Sequence, residues 1–500
     1  MIRDKLKFNL LIVLVGLFLV GFFFSYIGLP SITGHAVVDG ISKTKVSNLI
    51  LEKDTKDYDL IYERQKAEDW IDSLKKSNNG GPGWIVVNDA PDTYHGYVYD
   101  NAMAIIAYTM SGDYSNAKDI LNFLKLHQTE DGAFYDMMYT NGVSENGARH
   151  SGNQAWTLYA IAFYMYETGD FGASNSYLLM AEDTAAWLIE RQESDGGITG
   201  GIGSFSGNEL AWTSTEHNID SYFAFKLFYY LPTKFSSLSF NTDYLSAMNE
   251  CKRWILDEGW NYYENRFNRG ENDPYKSLDT QTLGSLFLAD INETIMQYDV
   301  INFAQINLHD TTSRTVGTNN VYYEGFKENE YGNHWLEGTM QMSTSYIRRG
   351  LPGYGRLYLD EVIKSDDPAY TLGHPNEDND GDGGKQYYME GPVIGEQPGT
   401  VLWMIFAINE YLNDREKIFF STPFSLYDLN CDGEVNLADT GIFSSAFHDS
   451  TPDYNEGSTY FCSDYSHDGE LTLADVSLFY QGFSGNGFSE ENNCCVTIFE

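Results

Sequence analysis

The stretch Thr213-Ser-Thr-Glu-His-Asn-Ile-Asp220 puts two acids and a histidine at the mouth of an almost wholly apolar segment, Ile219 to Leu231. A buried helix takes carboxylates only at a cost, so acids gathered at its opening turn point to a site. A structural explanation competes: Thr213-x-x-Glu216 also spells a capping box, with the glutamate reaching back to the cap amide. The arrangement recurs, however. Asp100, Asp279, Glu337 and Glu396 stand near the mouths of further apolar segments. Cleaving a bond between sugars needs one protonated carboxyl to support the leaving oxygen. It also needs a second, ionised one that acts on water or on the anomeric carbon. Glu216 and Glu337 form the first candidate pair, with Asp100 the rival for the base. Each also fits a plain helix-start acid favoured by the macrodipole.

Sugar recognition adds flat aromatic faces and polar side chains. Tyr97, Tyr99, Trp156, Trp212, Trp335, Tyr387 and Tyr388 lie beside the same mouths, and Arg149, His150 and Asn153 add donors. With His217, Asp220, Asp279 and Glu396, these make up the expected substrate-binding set. His217 and His150 could instead serve a lyase, as a base that removes a proton next to a uronate carboxylate. That chemistry also wants cations for the carboxylate. Apart from Arg149, Arg348 and Arg349, the candidate loops hold few arginines, which keeps hydrolysis ahead. A third alternative is a glycan-binding protein without turnover.

Residues 58–413 read as helices separated by Gly- and Asp-rich loops, with no run of alternating strands. One kind of helix is apolar nearly all round, as in Ala102–Met110, Ala155–Met165 and Val401–Ile408. The other carries a single stripe, as in Ala117, Ile120, Leu121 and Leu124, which leaves one wet face. The buried kind starts near Asp100, Asn153, Glu216, Asp279, Glu337 and Glu396, at intervals of 53, 63, 63, 58 and 59 residues. Such a period signals a repeat array. The connections match too: Gln128-x-x-Asp131-Gly132 and Gln192-x-x-Asp195-Gly196 each close an outer helix, and Tyr62–Lys76 is the expected first one. Six inner and six outer helices predict an all-α, closed (α/α)6 toroid, because closure leaves no inner helix exposed.

On these repeats the chain resembles the six-hairpin glycosidase superfamily over most of residues 58–413. The resemblance implies an active site where the inner helices begin and a carbohydrate substrate. It leaves hydrolase, phosphorylase and lyase open.

Outside the toroid, Arg3, Lys5 and Lys7 precede an apolar run from Leu10 to Leu29. Residues 1–36 therefore read as a signal peptide or a retained membrane anchor, and 37–57 as a linker. The expected location is extracellular, free or tethered at the outer face of the membrane. A net charge of -41 argues against nucleic acid as a partner.

After Pro423 two matching loops appear. Asp428, Asn430, Asp432, Asn436 and Asp439 supply side-chain oxygens at positions 1, 3, 5, 9 and 12, with Gly433 at 6 and the Glu434 carbonyl at 7. Asp464, Ser466, Asp468, Thr472 and Asp475, with Gly469 and Glu470, repeat the set. Residues 424–484 thus resemble a dockerin, which implies a small helical domain that binds calcium and docks on a cohesin-type scaffold protein. Cys431 and Cys462 are a plausible bridge whose connectivity spacing alone cannot fix. Residues 485–500 carry no readable role. A further acidic stretch, Asp378-Asn-Asp380-Gly-Asp382-Gly383, fits a calcium loop or a solvated turn equally well.

Overall fold

The computed structural model describes residues 58–419, apart from 88–93, 145, 206, 241, 317–318, 367–397, 414 and 416. Both terminal segments, the 378–383 loop, Tyr387, Tyr388 and Glu396 therefore lie outside the described residues.

Among the described residues, twelve α-helices run in chain order. They are α1 (Leu60–Ser73), α2 (Val98–Ser111), α3 (Tyr114–His127), α4 (Ser151–Thr168), α5 (Ser176–Ile189) and α6 (Thr215–Lys234). The rest are α7 (Tyr244–Trp254), α8 (Leu278–Asp290), α9 (Thr294–Asn307), α10 (Leu336–Arg348), α11 (Pro352–Asp366) and α12 (Pro398–Leu412). The even-numbered helices form a ring: α2 contacts α4, α4 contacts α6, and so on to α12, which contacts α2 again. Each odd-numbered helix packs outside the inner one before it, with α1 against α12. The ring closes, as the two helix types imply.

Local chemistry explains the alternation. Every residue of α2 from Asp100 to Met110 is buried, whereas α3 buries only Ala117, Ile120, Leu121, Phe123 and Leu124. Between them, Gly112 takes a left-handed φ of 78° to end α2. Asp113 then caps α3 through its side chain at once, so the chain reverses within two residues. Because inner and outer helices alternate in direction, all six inner helices begin at the same end of the ring.

The loops at that end are not strand-free. Short antiparallel pairs run through them, from Lys75–Ser77 with Gly83–Ile85 to the longer His309–Val316 with Asn319–Phe326. Most of these strands span two to five residues, too short to show a period of two. The first outer helix also ends earlier than expected, because Lys75–Ser77 joins one of these pairs.

A repeated device fixes each loop to its helix. Asn101 exchanges two hydrogen bonds with the backbone of Ile85, as Gln154 does with Phe134, Asn218 with Ile198 and Gln281 with Phe267. Each buried amide satisfies both polar groups of one loop residue, which buried backbone requires. The matching outer loops are stapled as well. Gln128 donates to Gly132 O and Met180 O, and Gln192 to Gly196 O and Ala247 O. The inner-helix mouths are thereby held at set positions around one funnel.

Candidate active site

Five carboxyls converge where α2, α6, α8 and α10 begin. Glu216 sits half-buried in the first turn of α6. Ser214 caps this helix, and Glu216 does not reach back. Its carboxyl is instead hydrogen-bonded to Asp279 of α8. Burial, then the charges of Asp279 and Asp220, push Glu216 well above the ordinary carboxyl range, with Glu337 adding to the effect. The setting is thus dominated by other acids, not by the Trp212 and His217 that flank it in sequence. Asp220, one turn on, is only 2% exposed and is likewise raised, by burial and then by Asp279. Trp156 of α4 acts against that rise and favours the charge.

Glu337 occupies the first turn of α10 and is buried. The Tyr99 hydroxyl donates to its Oε1 at 2.9 Å and itself accepts from Trp403 Nε1 at 3.0 Å. A Cβ on Gly399, in the first turn of α12, would stand 2.6 Å from Glu337 Oε2. Only glycine there lets the N-terminus of α12 approach the carboxyl. Asp100 is buried beside Glu337, and burial followed by that neighbour's charge raises its pKa strongly. Each inner helix therefore contributes one or two groups: Tyr99 and Asp100, Trp156, Glu216 and Asp220, Asp279, Glu337, and Trp403.

The remaining expected residues lie around this cluster. His150 precedes α4, and its Nδ1 pairs with Asp136. The ring of Trp212 is 6.1 Å from His150 and 5.4 Å from His217. His217 is held neutral: burial first, then His150, lower its pKa to about 4. Asn153 is half-buried in the first turn of α4, and Trp335 is partly buried over its own Gly338. Arg149 is tied through one guanidinium nitrogen to Asp131 and lies 5.9 Å from the Tyr135 ring. Arg348 lies at the far end of α10, paired with Glu410, and takes no part in the funnel mouth. Trp403 and Asp136 were invisible in the sequence, the first within an apolar run and the second in a loop without a period. Among the described residues, no three His, Cys, Asp or Glu side chains are arranged to hold a metal ion.

At the other end, the chain beyond α12 turns back into the ring. The Phe419 ring stacks on Phe223 at 4.2 Å and meets Trp156 at 5.1 Å. Tyr159 Oη accepts from the Phe419 amide at 3.0 Å, and Arg348 donates to the carbonyls of Ile418 and Phe419. Phe419 thus floors the funnel beneath Trp156.

No protein-family model matches the sequence, and no curated protein is significantly similar to it. Solved structures do match. A wild-type glycosidase superposes with a TM-score of 0.50 at 9% identity, over 70% of this chain and 96% of that one. A variant of a glycosidase gives the same score and identity over 71% and 97%. A family 76 α-mannanase from Bacteroides thetaiotaomicron follows at 0.49 and 12% identity, covering 72% and 99%. The glycosidase likeness is one of fold, and it agrees with the closed ring of paired helices.

Proposed function

We propose that the chain is a glycoside hydrolase in which Glu216 is the general acid and Glu337 the ionised partner. The observation that carries this reading is the contrast between the two. Glu216 keeps its proton because burial, Asp279 and Asp220 oppose its charge. Glu337 receives a hydroxyl donor from Tyr99 and lies against a helix N-terminus. Two carboxyls in such different settings suit the acid and the base, or nucleophile, of glycoside cleavage. Glu216 would protonate the leaving oxygen while Glu337 acts on water or on the anomeric carbon. Asp100, raised by burial and by Glu337, suits a proton holder better than a base.

A lyase acting on uronates is disfavoured by the same charges. Among the described residues, no lysine or arginine is a leading influence on Asp100, Glu216 or Asp220. A cluster of acids repels a uronate carboxylate.

Glu216→Gln tests the assignment, since an amide cannot deliver a proton. The variant should melt near the wild-type temperature and still bind glycan. Release of reducing ends from starch, mannan, cellulose or xylan should fall at least about a hundredfold. Undiminished turnover, or unsaturated products from a uronate polymer, would overturn the reading.

The terminal segments extend it. The run Leu10–Leu29 would direct export, with or without retention as a tether. Both C-terminal loops offer an all-oxygen donor set that fits calcium, a hard cation. Calcium would order that module for docking on a cohesin-type partner.

A further inference from the structure

Beside the carboxyl cluster, between the mouths of α4 and α6, lies a second group of side chains that hydrolysis itself does not use. Trp212 closes the strand Glu209–Thr213 and keeps 46% of its surface exposed. It is not loosely placed. Its ring lies on Gly200 of the neighbouring strand, where a Cβ would come within 2.6 Å of the indole. On its flank the His150 ring stands at 6.1 Å with planes 28° apart.

His150 is oriented in turn by Asp136. That carboxylate takes the ring at Nδ1 and accepts from the His150 amide at 2.8 Å. His150 holds the N-cap position of α4 yet makes no side-chain cap bond, so the pairing with Asp136 is not a helix cap. What it does is fix the ring beside Trp212 through Nδ1. His217 completes the group, 5.4 Å from Trp212 and 6.4 Å from His150, its edge resting on Gly152. Two glycines are thus spent on seating the half-exposed indole and the imidazole behind it.

A fixed indole face flanked by an oriented imidazole matches the apolar face and the hydroxyl edge of a pyranose. His217 follows Glu216 directly in the chain, so this place adjoins the one where the proposed acid works. We infer that Trp212 and His150, aligned by Gly200 and Asp136, form a second sugar subsite, and that the substrate is a chain reaching across both places. The inference rests on the hydrolase reading for the identity of the first place.

The test compares full-length wild type with Trp212→Ala and His150→Ala, on malto-, manno-, cello- and xylo-oligosaccharides of two and six units. Trp212 is half-exposed, so its removal should leave the fold intact. On whichever series is cleaved, kcat/KM for the six-unit substrate should fall about tenfold more than for the two-unit one, carried by KM. Equal losses at both lengths, or none, would overturn the subsite. If wild type cleaves nothing, the hydrolase reading fails, and calorimetry with the six-unit sugars decides the subsite alone. Binding about tenfold tighter in wild type than in Trp212→Ala supports it. Equal binding, or none, sinks it.

Discussion

Asp279→Asn removes the charge that is hydrogen-bonded to Glu216 while keeping a side chain of the same shape, one that can still accept from the Thr280 amide. Two unit charges in such contact, about 3 Å apart, interact by roughly 5 kcal/mol at an effective dielectric of about 20. Both carboxyls are partly open to the funnel, so solvent screens much of that. The sign is fixed by the structure. Asp279 opposes ionisation of Glu216, so its loss makes the acid ionise at lower pH. The alkaline limb of kcat/KM, which reports the free enzyme's acid, should therefore move down by about one to two pH units, each unit being about 1.4 kcal/mol. Rates at the acid side of the optimum should change far less. The assay is a pH series of reducing-end release with the best-cleaved oligosaccharide. An alkaline limb that stays in place or moves up refutes the assignment of Glu216. A loss beyond about a thousandfold at every pH would instead give Asp279 the role assigned to Glu337.

Other expectations follow from the same geometry. Phe419→Ala empties the floor beneath Trp156 and should cost about 3–5 kcal/mol of stability by thermal melting; a melting curve like that of wild type would show that the floor is dispensable. Asp428→Ala with Asp464→Ala should bind two fewer calcium ions per chain by calorimetry, and unchanged stoichiometry would reject the loops as sites. Asp100, Glu216 and Asp220 all have folded pKa values above their unfolded ones, through burial first. Their stabilising contribution is present below about pH 4 and is lost as pH rises through the folded values. Melting temperature should thus decline from about pH 5 to pH 8, and Asp100→Asn should flatten the decline; a rising curve would contradict the burial of these acids.

The repeat made the ring legible. Inner starts read from acids and amides at Asp100, Asn153, Glu216, Asp279 and Glu337 fall within two residues of the observed Val98, Ser151, Thr215, Leu278 and Leu336. Convergence of the carboxyls followed from closure alone. What stayed hidden depends on approach rather than on period. Asn101, Gln154, Asn218 and Gln281 recur at intervals of 53, 64 and 63 residues, but an amide in a helix carries no sign of the loop it will hold. Gly399 and Gly200 read as loop glycines until the carboxyl and the indole that need their missing Cβ are seen. Trp403 reads as core, and indeed is buried, yet its indole N–H serves Tyr99. Phe419 lies past the last helix, where no periodic signal reaches.

The placement of these groups gives closure a second meaning. Burying three acids with raised pKa values works against folding near neutral pH, since each would gain by reaching water and ionising. An open array of helix pairs would let them do so. In the closed ring, Asp279 is pressed on Glu216 from one side, Glu337 on Asp100 from another, and the contact of α12 with α2 joins Trp403 to Tyr99 and so to Glu337. The hydrogen bond that distinguishes Glu337 from Glu216 reaches α10 from α2, and the Tyr99 that makes it is held by Trp403 across the joint where the first and last inner helices meet. Closure that merely hid apolar faces would tolerate a loose joint there. The proposed chemistry does not, because a gap between α2 and α12 would leave both carboxyls in similar surroundings, with nothing to make one the acid and the other its partner.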